Sequence, residues 1–387
     1  MQCGEGREGS WVGPTRESGG RHEGVGGLGP RGGSPLDAGG VAVLNLVTGG
    51  SGFLGTHLAR RLLARGEGVR VLDPAEPASD LRGRVEWVAG SVLDPGVLAE
   101  ACRSRGIVFH TAALVPLAKA GRRFDDVNVR GTRNVADVCV AAGIRRLVHV
   151  SSSAVYDPAV TAMPITEQSP LRPVGRYGRS KRAAELEVVW AGERGLEWAI
   201  VRPRTIVDEG RGGIFQILFD WVLAGRSVYT IGDGSNAFQL VSASDLAEAC
   251  CAAAVLPEAA GETFNVGAEE FGMLDELMRD LVRHAGTGSR VVHLNAPLAR
   301  AALGLLDAVC LSPLADWHYK TMDKPFWFSN AKARRVLGWA PKDSNRVMMV
   351  RAFEWYVRHR DEIDSQAGTT HRTSPPQGIL RLLRWWS

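Results

Sequence analysis

The stretch "LVTGGSGFLGTHLARRLL", residues 46–63, decides the fold of this chain. It places Gly49, Gly52 and Gly55 between a hydrophobic strand pattern and the apolar spacing of an amphipathic helix. Glycine is needed where a positive φ or a close backbone approach excludes a Cβ, and the free N–H groups of a helix N-terminus attract a pyrophosphate. The stretch therefore predicts a dinucleotide-binding turn.

The strand pattern that follows this turn indicates which dinucleotide is bound. "VRVLD" ends in Asp73, 18 residues after Gly55. A carboxylate there can accept both hydroxyls of the adenine ribose, and it would repel a 2′-phosphate. The sequence thus favours NAD over NADP, although Arg82 and Arg84 follow closely and could soften the exclusion of NADP.

The alternation of patterns along the chain predicts the fold class. From Val41 to Ser153, short β-branched runs alternate with helical spacing. This is typical of an α/β fold, a Rossmann-type doubly wound parallel sheet with helices on both faces. After Pro203 the pattern loosens, which indicates a smaller C-terminal substrate lobe that closes with a helix at 346–363.

Four parts are expected along the chain. The first 40 residues contain 14 glycines and no sustained apolar period, so residues 1–40 are predicted to be a disordered extension. Residues 41–205 are predicted to form the NAD-binding Rossmann domain. Residues 206–365 are predicted to form mostly a substrate-binding lobe, with elements that return to the Rossmann core. Residues 366–387 are predicted to be a flexible tail, and the role of its final "ILRLLRWWS" stays open.

Composition excludes several function classes. The 387 residues are 45% hydrophobic and 23% charged, as in an ordinary soluble globular enzyme. The net charge of +4 comes from Arg and Lys spread along the chain, so nucleic-acid binding is not expected. The six cysteines lack the spacing of a metal site and are predicted to be reduced core residues of a cytoplasmic protein. No metal is expected.

The most apolar late stretch, residues 296–317, does not read as a membrane span. Arg300 and Asp307 interrupt it, so no run is long enough to cross a bilayer. Two alternatives stay open for this stretch: contact with a membrane surface or a greasy ligand, and packing of an amphipathic helix on the core.

"RYGRSK", residues 176–181, contains a candidate catalytic pair. Tyr177 and Lys181 would lie one helical turn apart on the same face. A free tyrosine titrates near ~10, and a nearby ammonium favours the phenolate, which brings the pKa of the phenol toward working pH. The pair is suited to general acid/base catalysis, but two residues alone are a weak motif.

Context makes the motif specific. "TGGSGFLG", "HTAA", "NVRGT", "SSSAVY" and "YGRSK" occur in this order, and with them residues 43–345 resemble the extended short-chain dehydrogenase/reductase superfamily, the NAD-dependent epimerase/dehydratase family. The resemblance implies that Tyr177 is the general acid/base, and that Lys181 binds the nicotinamide ribose and lowers the pKa of the phenol. It also implies that Ser152 binds and polarises the substrate oxygen.

The same resemblance supplies the remaining site residues. Asn128 is similar to a structural or proton-relay asparagine of the family, although an isolated helical Asn is more often a local hydrogen-bonding residue. The resemblance implies catalytic roles for Ser152, Tyr177, Lys181 and Asn128. It implies cofactor binding by Gly49, Ser51, Gly52, Phe53, Leu54, Gly55, Asp73, Ala112, Ala113, Tyr177, Lys181, Pro203 and Thr205.

Departures from the family pattern narrow the reaction. Ser153 and Ala154 stand where dehydratases carry an acidic pair, so dehydration is not expected. Residues 237–239 lack the arginine that holds the diphosphate of a nucleotide sugar, although Arg211 or Arg226 could substitute for it.

These departures favour the 3-beta-hydroxysteroid dehydrogenase-like branch. The predicted function is an NAD-dependent oxidoreductase that interconverts a secondary alcohol and a ketone on a mainly apolar small-molecule substrate. Apolar side chains after Pro203 support it, although the same spacing is typical of a core: Ile214, Phe215, Leu218, Trp221 and the stretch 296–311. The alternatives are a nucleotide-sugar 4-epimerase with tightly bound NAD, and a non-enzymatic NAD-binding protein. The resemblance also implies a homodimer packed through residues 125–138 and 176–190.

Overall fold

The computed structural model describes residues 44–103, 106–116, 121–308 and 316–364. The predicted disordered extension at 1–40 and the predicted tail at 366–387 lie outside the described residues. In chain order the strands are β1 (Leu44–Thr48), β2 (Gly68–Asp73), β3 (Glu86–Ala89), β4 (Ile107–His110), β5 (Arg146–Val150), β6 (Glu197–Pro203), β7 (Thr205–Ile206), β8 (Val228–Ile231), β9 (Ala237–Phe238), β10 (Leu240–Val241), β11 (Glu262–Val266), β12 (Gly272–Met273) and β13 (Val291–Leu294).

Helices fill the connections between these strands. They are α1 (Phe53–Ala64), α2 (Pro95–Ala101), α3 (Gly131–Ala142), α4 (Gly175–Gly192), α5 (Ile214–Leu223), α6 (Ala243–Val255), α7 (Leu274–Ala285), α8 (Ala296–Ala308), α9 (Asp316–Thr321), α10 (Ala331–Leu337) and α11 (Asn345–Asp364). A π-helical segment, Asp125–Arg130, runs directly into α3.

Seven parallel strands form the central sheet, in the order β11-β6-β5-β4-β1-β2-β3. The chain winds outward in one direction from β1 to β3 and in the other from β4 to β6. The strand order therefore reverses between β1 and β4, and the crevice outside their carboxyl ends is where such sheets bind ligands. The predicted doubly wound parallel sheet is confirmed.

Helices cover both faces of the sheet. Leu58 and Leu62 of α1 pack with Leu246 of α6 in one buried cluster. Val135 of α3 and Val188 of α4 pack in another. All five residues of β5 are buried, as expected for a strand covered on both faces.

A third core lies beyond β6. Phe219 of α5, Leu277 of α7 and Phe353 of α11 meet in it, and the last of these helices matches the one predicted at 346–363. β11 returns from this part of the chain to the central sheet beside β6. The domain limits at 205 and 206 stay predictions.

The cysteines that the structure describes are free and buried: Cys102, Cys139, Cys250 and Cys251.

Helix α8 exposes part of the apolar stretch 296–317. Its side chains Leu298 and Leu305 are 71% and 73% exposed, so at least this face of the stretch is not packed in the core. Among the described helices, none combines the length and apolar character needed to cross a bilayer. The homodimer through 125–138 and 176–190 stays a prediction.

A buried ion pair fixes α4 to the sheet. Glu185 of α4 accepts two hydrogen bonds, both 2.8 Å long, from the guanidinium of Arg202 in β6, and a third of 2.6 Å from the hydroxyl of Ser151. Burial alone would raise the pKa of Glu185, but Arg202 and Ser151 hold it below its ordinary value. Because Lys181 and Tyr177 lie one and two turns earlier on the same helix, the pair sets their position.

We expect Glu185→Gln to lower the free energy of unfolding by about 3 kcal/mol, because the buried Arg202 charge loses its counter-charge. Glu187→Gln, two residues later on the same helix, is the control. Its partner Arg133 is 56% exposed, so that change should cost at most about 1 kcal/mol. Urea denaturation of both variants measures the difference. Equal losses would mean that the Glu185–Arg202 pair does not anchor α4.

Candidate active site

The glycine turn between β1 and α1 is built by close backbone contacts. Gly49 has a φ of +72°, and a Cβ on it would lie 2.7 Å from the backbone of Ala112 at the end of β4. A Cβ on Gly55 would lie 2.2 Å from the carbonyl oxygen of Gly49. Both distances are shorter than any real Cβ contact, so only glycine fits these positions.

The N-terminus of α1 is open toward a ligand. Its N-cap is Gly52, no side chain caps it, and its first turn carries no acidic residue. Such a terminus attracts negative charge through its N–H groups and its dipole. The amide of Gly52 already donates to the carbonyl of Gly49 at 3.0 Å, so the predicted contact of Gly52 with the cofactor is not supported. The turn fits a pyrophosphate, which the amides of Phe53 and Leu54 would hold.

Asp73 ends β2 beside this turn, as the spacing predicts. One of its carboxylate oxygens accepts the backbone N–H of Ser51 at 3.2 Å, and the other accepts that of Ala75 at 2.9 Å. The hydroxyl of Ser51 donates to the carbonyl of Ala75 at 2.7 Å. The carboxylate is therefore held next to the phosphate-binding turn, where the adenine ribose of NAD would lie.

Asn128 connects two parts of the site. Its side-chain amide accepts the N–H of Leu114 at 2.8 Å and donates to the carbonyl of the same residue at 3.1 Å. It also donates to the hydroxyl of Ser180 at 3.0 Å, which in turn donates to the carbonyl of Tyr177 at 2.8 Å. The contacts match the structural alternative for this asparagine: it ties the loop after Ala112 and Ala113 to the start of α4.

Ser152 and Tyr177 meet at the carboxyl end of β5. Tyr177 lies in the first turn of α4 with its ring edge-to-face with Phe124, and the hydroxyl of Ser152 lowers the pKa of its phenol. Ser152 is held by the backbone N–H of Ala154, which donates to its hydroxyl oxygen at 3.1 Å. Two hydroxyls that converge in this way can bind a single substrate oxygen between them.

Lys181 is buried below this pair. Its ammonium donates to the carbonyl of Val150 at 2.8 Å and lies 3.5 Å from Nε2 of His149. Burial lowers the pKa of Lys181 to about 8, against a rise caused by Glu185. Burial also holds the pKa of His149 well below its ordinary value, so this imidazole is neutral and can accept a hydrogen bond from the lysine.

The electrostatics at Tyr177 differ from the expectation. Burial raises the pKa of its phenol above the ordinary value, and the hydroxyl of Ser152 and the charge of Arg211 counteract the rise only in part. The ammonium of Lys181 is directed at the Val150 carbonyl instead. In the protein alone, the predicted lowering of the phenol pKa by Lys181 is therefore absent, and the cation that acts on Tyr177 is Arg211.

Two buried arginines lie in the segment that follows β6. Arg204 directly follows Pro203, the last residue of β6, and donates to the hydroxyl of Ser153 at 3.1 Å. Arg211 precedes α5, and its guanidinium carbon lies 5.3 Å from the centroid of the Phe53 ring. Sequence reasoning named Arg211 only as a stand-in for a missing clamp and missed Arg204, because one arginine after a strand gives no signal of its burial.

Pro203 and Thr205 lie where the sixth strand ends. Pro203 is the last residue of β6 and is paired with Val266 of β11. Thr205 opens β7, which pairs with β10. Their contacts with the nicotinamide stay predictions, and the described residues contain no group of His, Cys, Asp or Glu side chains arranged for a metal ion.

Residues 45–267, more than half of the chain, match the NAD dependent epimerase/dehydratase family. The chain belongs to that family. The prediction of an extended short-chain dehydrogenase/reductase is confirmed, and with it an NAD-dependent enzyme that acts on CH–OH groups.

Curated relatives include different enzymes. The protein named "Uncharacterized protein y4nG", from Sinorhizobium fredii, is 40% identical and covers 87% of this chain and 85% of that protein. A UDP-glucose 4-epimerase from Mycolicibacterium smegmatis is 29% identical over 77% of this chain and 93% of that protein. A 3 beta-hydroxysteroid dehydrogenase/Delta 5→4-isomerase from Mycobacterium tuberculosis is 28% identical, covering 83% and 92%.

A solved structure shares the fold. It is a UDP-glucose 4-epimerase with UDP-glucose from Thermotoga maritima, with a TM-score of 0.69 and 23% identity. The match covers 82% of this chain and 99% of that one. The names of the two characterised relatives record different substrates.

We expect Gly55→Ala to weaken NAD binding at least about tenfold, because the added Cβ would force the turn away from the carbonyl of Gly49. Gly304→Ala in α8 is the control, since a Cβ there meets no atom within 4 Å. Isothermal titration with NAD measures both variants. Unchanged NAD affinity in Gly55→Ala would contradict the assignment of this turn to the cofactor.

Lys181 should leave a signature in the pH dependence of stability. Its pKa is 10.5 when unperturbed and about 8 in the folded protein, so between these values the unfolded chain binds more protons. Stability should therefore rise with pH from about 8 to about 10.5. Urea denaturation across this window, compared with Lys181→Met, isolates the lysine. Identical pH slopes for the two proteins would show that the lysine is not buried as a charge.

Proposed function

We propose that this enzyme interconverts a secondary alcohol and its ketone, with Tyr177 as the general acid/base. The observation that supports the proposal is that Ser152 and Tyr177 come together at the carboxyl edge of the sheet, where the hydroxyl of Ser152 lowers the pKa of the phenol. The glycine turn and Asp73 lie at the same edge, so a substrate alcohol bound by the two hydroxyls would face the bound cofactor.

Each residue has a separate task in this proposal. Ser152 donates to the substrate oxygen and holds it beside the phenol. Tyr177 takes the hydroxyl proton as the alcohol is oxidised, and it returns a proton when the ketone is reduced. Lys181 would bind the ribose nearest the reacting carbon. NAD supplies the redox step by accepting or donating the hydride.

The proton transfer needs positive charge near the phenol. Burial raises the pKa of Tyr177, which by itself would make it a poor base. Arg211 lowers that pKa from the side of α5. Lys181 lies one turn below on α4, and a positive nicotinamide ring would add to the same field.

The prediction of a mainly apolar substrate rested partly on α5. Phe215 and Trp221 are 6% and 7% exposed, and Ile214 and Leu218 pack against the third core. These side chains have the contacts of a core, the alternative left open by their spacing, so they do not support an apolar pocket. The steroid dehydrogenase relative still supports an apolar alcohol as a candidate substrate.

A nucleotide-sugar 4-epimerase remains the second candidate. The relative from M. smegmatis carries that name, and an epimerase would use the same tyrosine with a cofactor that is reduced and reoxidised in place. A non-enzymatic NAD-binding protein has lost its support, because the chain belongs to an enzyme family and keeps both Tyr177 and Lys181.

Turnover by Tyr177→Phe tests the proposal. A panel of 3β-hydroxysteroids and hydroxy acids is assayed by NADH formation, and UDP-glucose by NMR for epimerisation without net NADH. For any substrate that the wild type converts, Tyr177→Phe should bind NAD nearly normally and lose about 10²- to 10⁴-fold in rate. Tyr229→Phe in β8, where the ring packs on Trp221, should keep wild-type turnover. Full activity in Tyr177→Phe would remove the tyrosine from the mechanism.

A further inference from the structure

Helix α8 presents an outer apolar stripe to solvent. Leu298, Ala301, Ala302 and Leu305 are all exposed, and the two leucines are 71% and 73% exposed. Because these residues follow the spacing i, i+3, i+4 and i+7, they share one face of the helix over two turns. Single exposed leucines are common on protein surfaces, but a contiguous apolar stripe of this kind marks a site of interaction.

The inner side of α8 is already attached to the protein. Leu303 and Leu306 on that side are partly buried, and Nη2 of Arg300 lies 3.2 Å from a carboxylate oxygen of Asp323. The helix is therefore apolar on its inner and on its outer side. A helix with apolar residues all round is normally covered all round, so the outer stripe is expected to have a cover of its own.

The end of the chain carries a matching pattern. Residues 379–386, "ILRLLRWW", lie outside the described residues, and their sequence predicts an amphipathic helix. The apolar side chains recur at i, i+3, i+4 and i+7: Ile379, Leu382, Leu383 and Trp386. Arg381 and Arg384 fall on the other side. So short a helix does not form by itself in water, so this segment needs an apolar surface to pack against.

The connecting segment is long enough to bring the two apolar faces together. Ile363, one residue before the end of α11, lies in the third core, and Val291 of β13 packs against the same core. The end of α11 and the strand that leads into α8 therefore belong to one lobe. Residues 365–378 join the end of α11 to the apolar segment, and when extended they reach up to about 46 Å. That reach exceeds the length of α8, about 20 Å, more than twofold.

Two features favour this segment over a second copy of the chain or a membrane surface. The segment is tethered, so its effective concentration at α8 is on the order of millimolar, far above that of a free second copy. Ala301 and Ala302 lie between the two leucines, and their small side chains leave a groove into which the large side chains of another helix fit. A lipid surface gives no reason for such a groove.

We propose that residues 379–386 fold back as a helix and pack their apolar side on the outer stripe of α8. Arg381 and Arg384 then stay in water, as the charged side chains of a surface helix do. One contact removes two apolar surfaces from water, and this burial stabilises it. The contact is independent of the reaction proposed for Tyr177.

Limited trypsin digestion of the full chain tests this contact. Trypsin cuts where the backbone is locally unfolded, so docking should protect the bonds after Arg381 and Arg384. The bond after Arg372 lies in the connecting segment and is the internal reference. We expect cleavage after Arg381 and Arg384 to be at least about tenfold slower than after Arg372, because the docked state dominates at millimolar effective concentration. Mass spectrometry of the time course measures the three rates.

Leu298→Asp should release the segment. Cleavage after Arg384 should become at least about tenfold faster than in wild type, since a carboxylate buried against apolar side chains costs more than the contact gains. Val347→Asp on α11 is the matched control, because Val347 is a helical apolar residue that is 50% exposed and should leave the rate unchanged. Leu383→Asp alters the other partner of the contact, and it carries the test if Leu298→Asp does not fold.

The double variant Leu298→Asp, Leu383→Asp shows whether both residues belong to one contact. A contact that is already lost cannot be lost again, so the double variant should be cleaved no faster than either single variant. Rates that multiply would mean that the two residues act at separate places, and the proposal would fail.

Three further results would overturn the proposal. Equal cleavage after Arg372 and Arg384 in wild type would mean that the segment is not docked. Protection that appears only with vesicles of phosphatidylcholine and phosphatidylserine would assign the outer stripe and the segment to a membrane surface. A lower sedimentation mass of Leu298→Asp with unchanged cleavage after Arg384 would assign the outer stripe to a second copy of the chain.

Discussion

The pairing of Glu185 with Arg202 across the helix–sheet boundary is the contact on which the site depends. A buried carboxylate and guanidinium with 2.8 Å hydrogen bonds tolerate little displacement, because either charge left alone would be expensive. They therefore fix the rotation of α4 over β5 and β6. Lys181 then meets the Val150 carbonyl, and Tyr177 lies near Ser152, two residues past the end of β5. The proposed acid/base is thus placed by an interaction two helical turns away.

The charge balance around the phenol explains why the site needs more than one cation. Burial raises the pKa of Tyr177 and lowers that of Lys181. It therefore disfavours both the phenolate and the ammonium that the proposed mechanism uses. A single ammonium directed at a backbone carbonyl does not reverse this. Arg211 also lowers the pKa of the phenol, which makes the segment before α5 part of the electrostatic site although it contributes no family motif.

The sequence predicted what depends on local pattern and backbone contact. The order of strand pattern, glycines and helix pattern predicted the turn. The physical reason for the glycine at position 55 is that a Cβ there would lie 2.2 Å from the carbonyl oxygen of Gly49. The position of Asp73 followed equally well from spacing. The sequence did not reveal which apolar side chains are buried by tertiary packing. The apolar residues of α5 fitted both a substrate pocket and a core, and in the structure they pack in the core. Arg204 and Arg211 gave no signal either, since one charged letter does not reveal whether a carboxylate will lie near it.

Arginine burial also shows how a shared fold can serve different substrates. The glycine turn, the serine–tyrosine pair and the start of the anchored helix all lie at the carboxyl edge of the sheet, where in the proposed mechanism they act on the cofactor and one oxygen atom. Selectivity must come from side chains that the third core and its loops present to the rest of the substrate. A buried guanidinium does this strongly, because low polarity increases both its attraction for an oxyanion and the cost of a neutral ligand that leaves it unpaired.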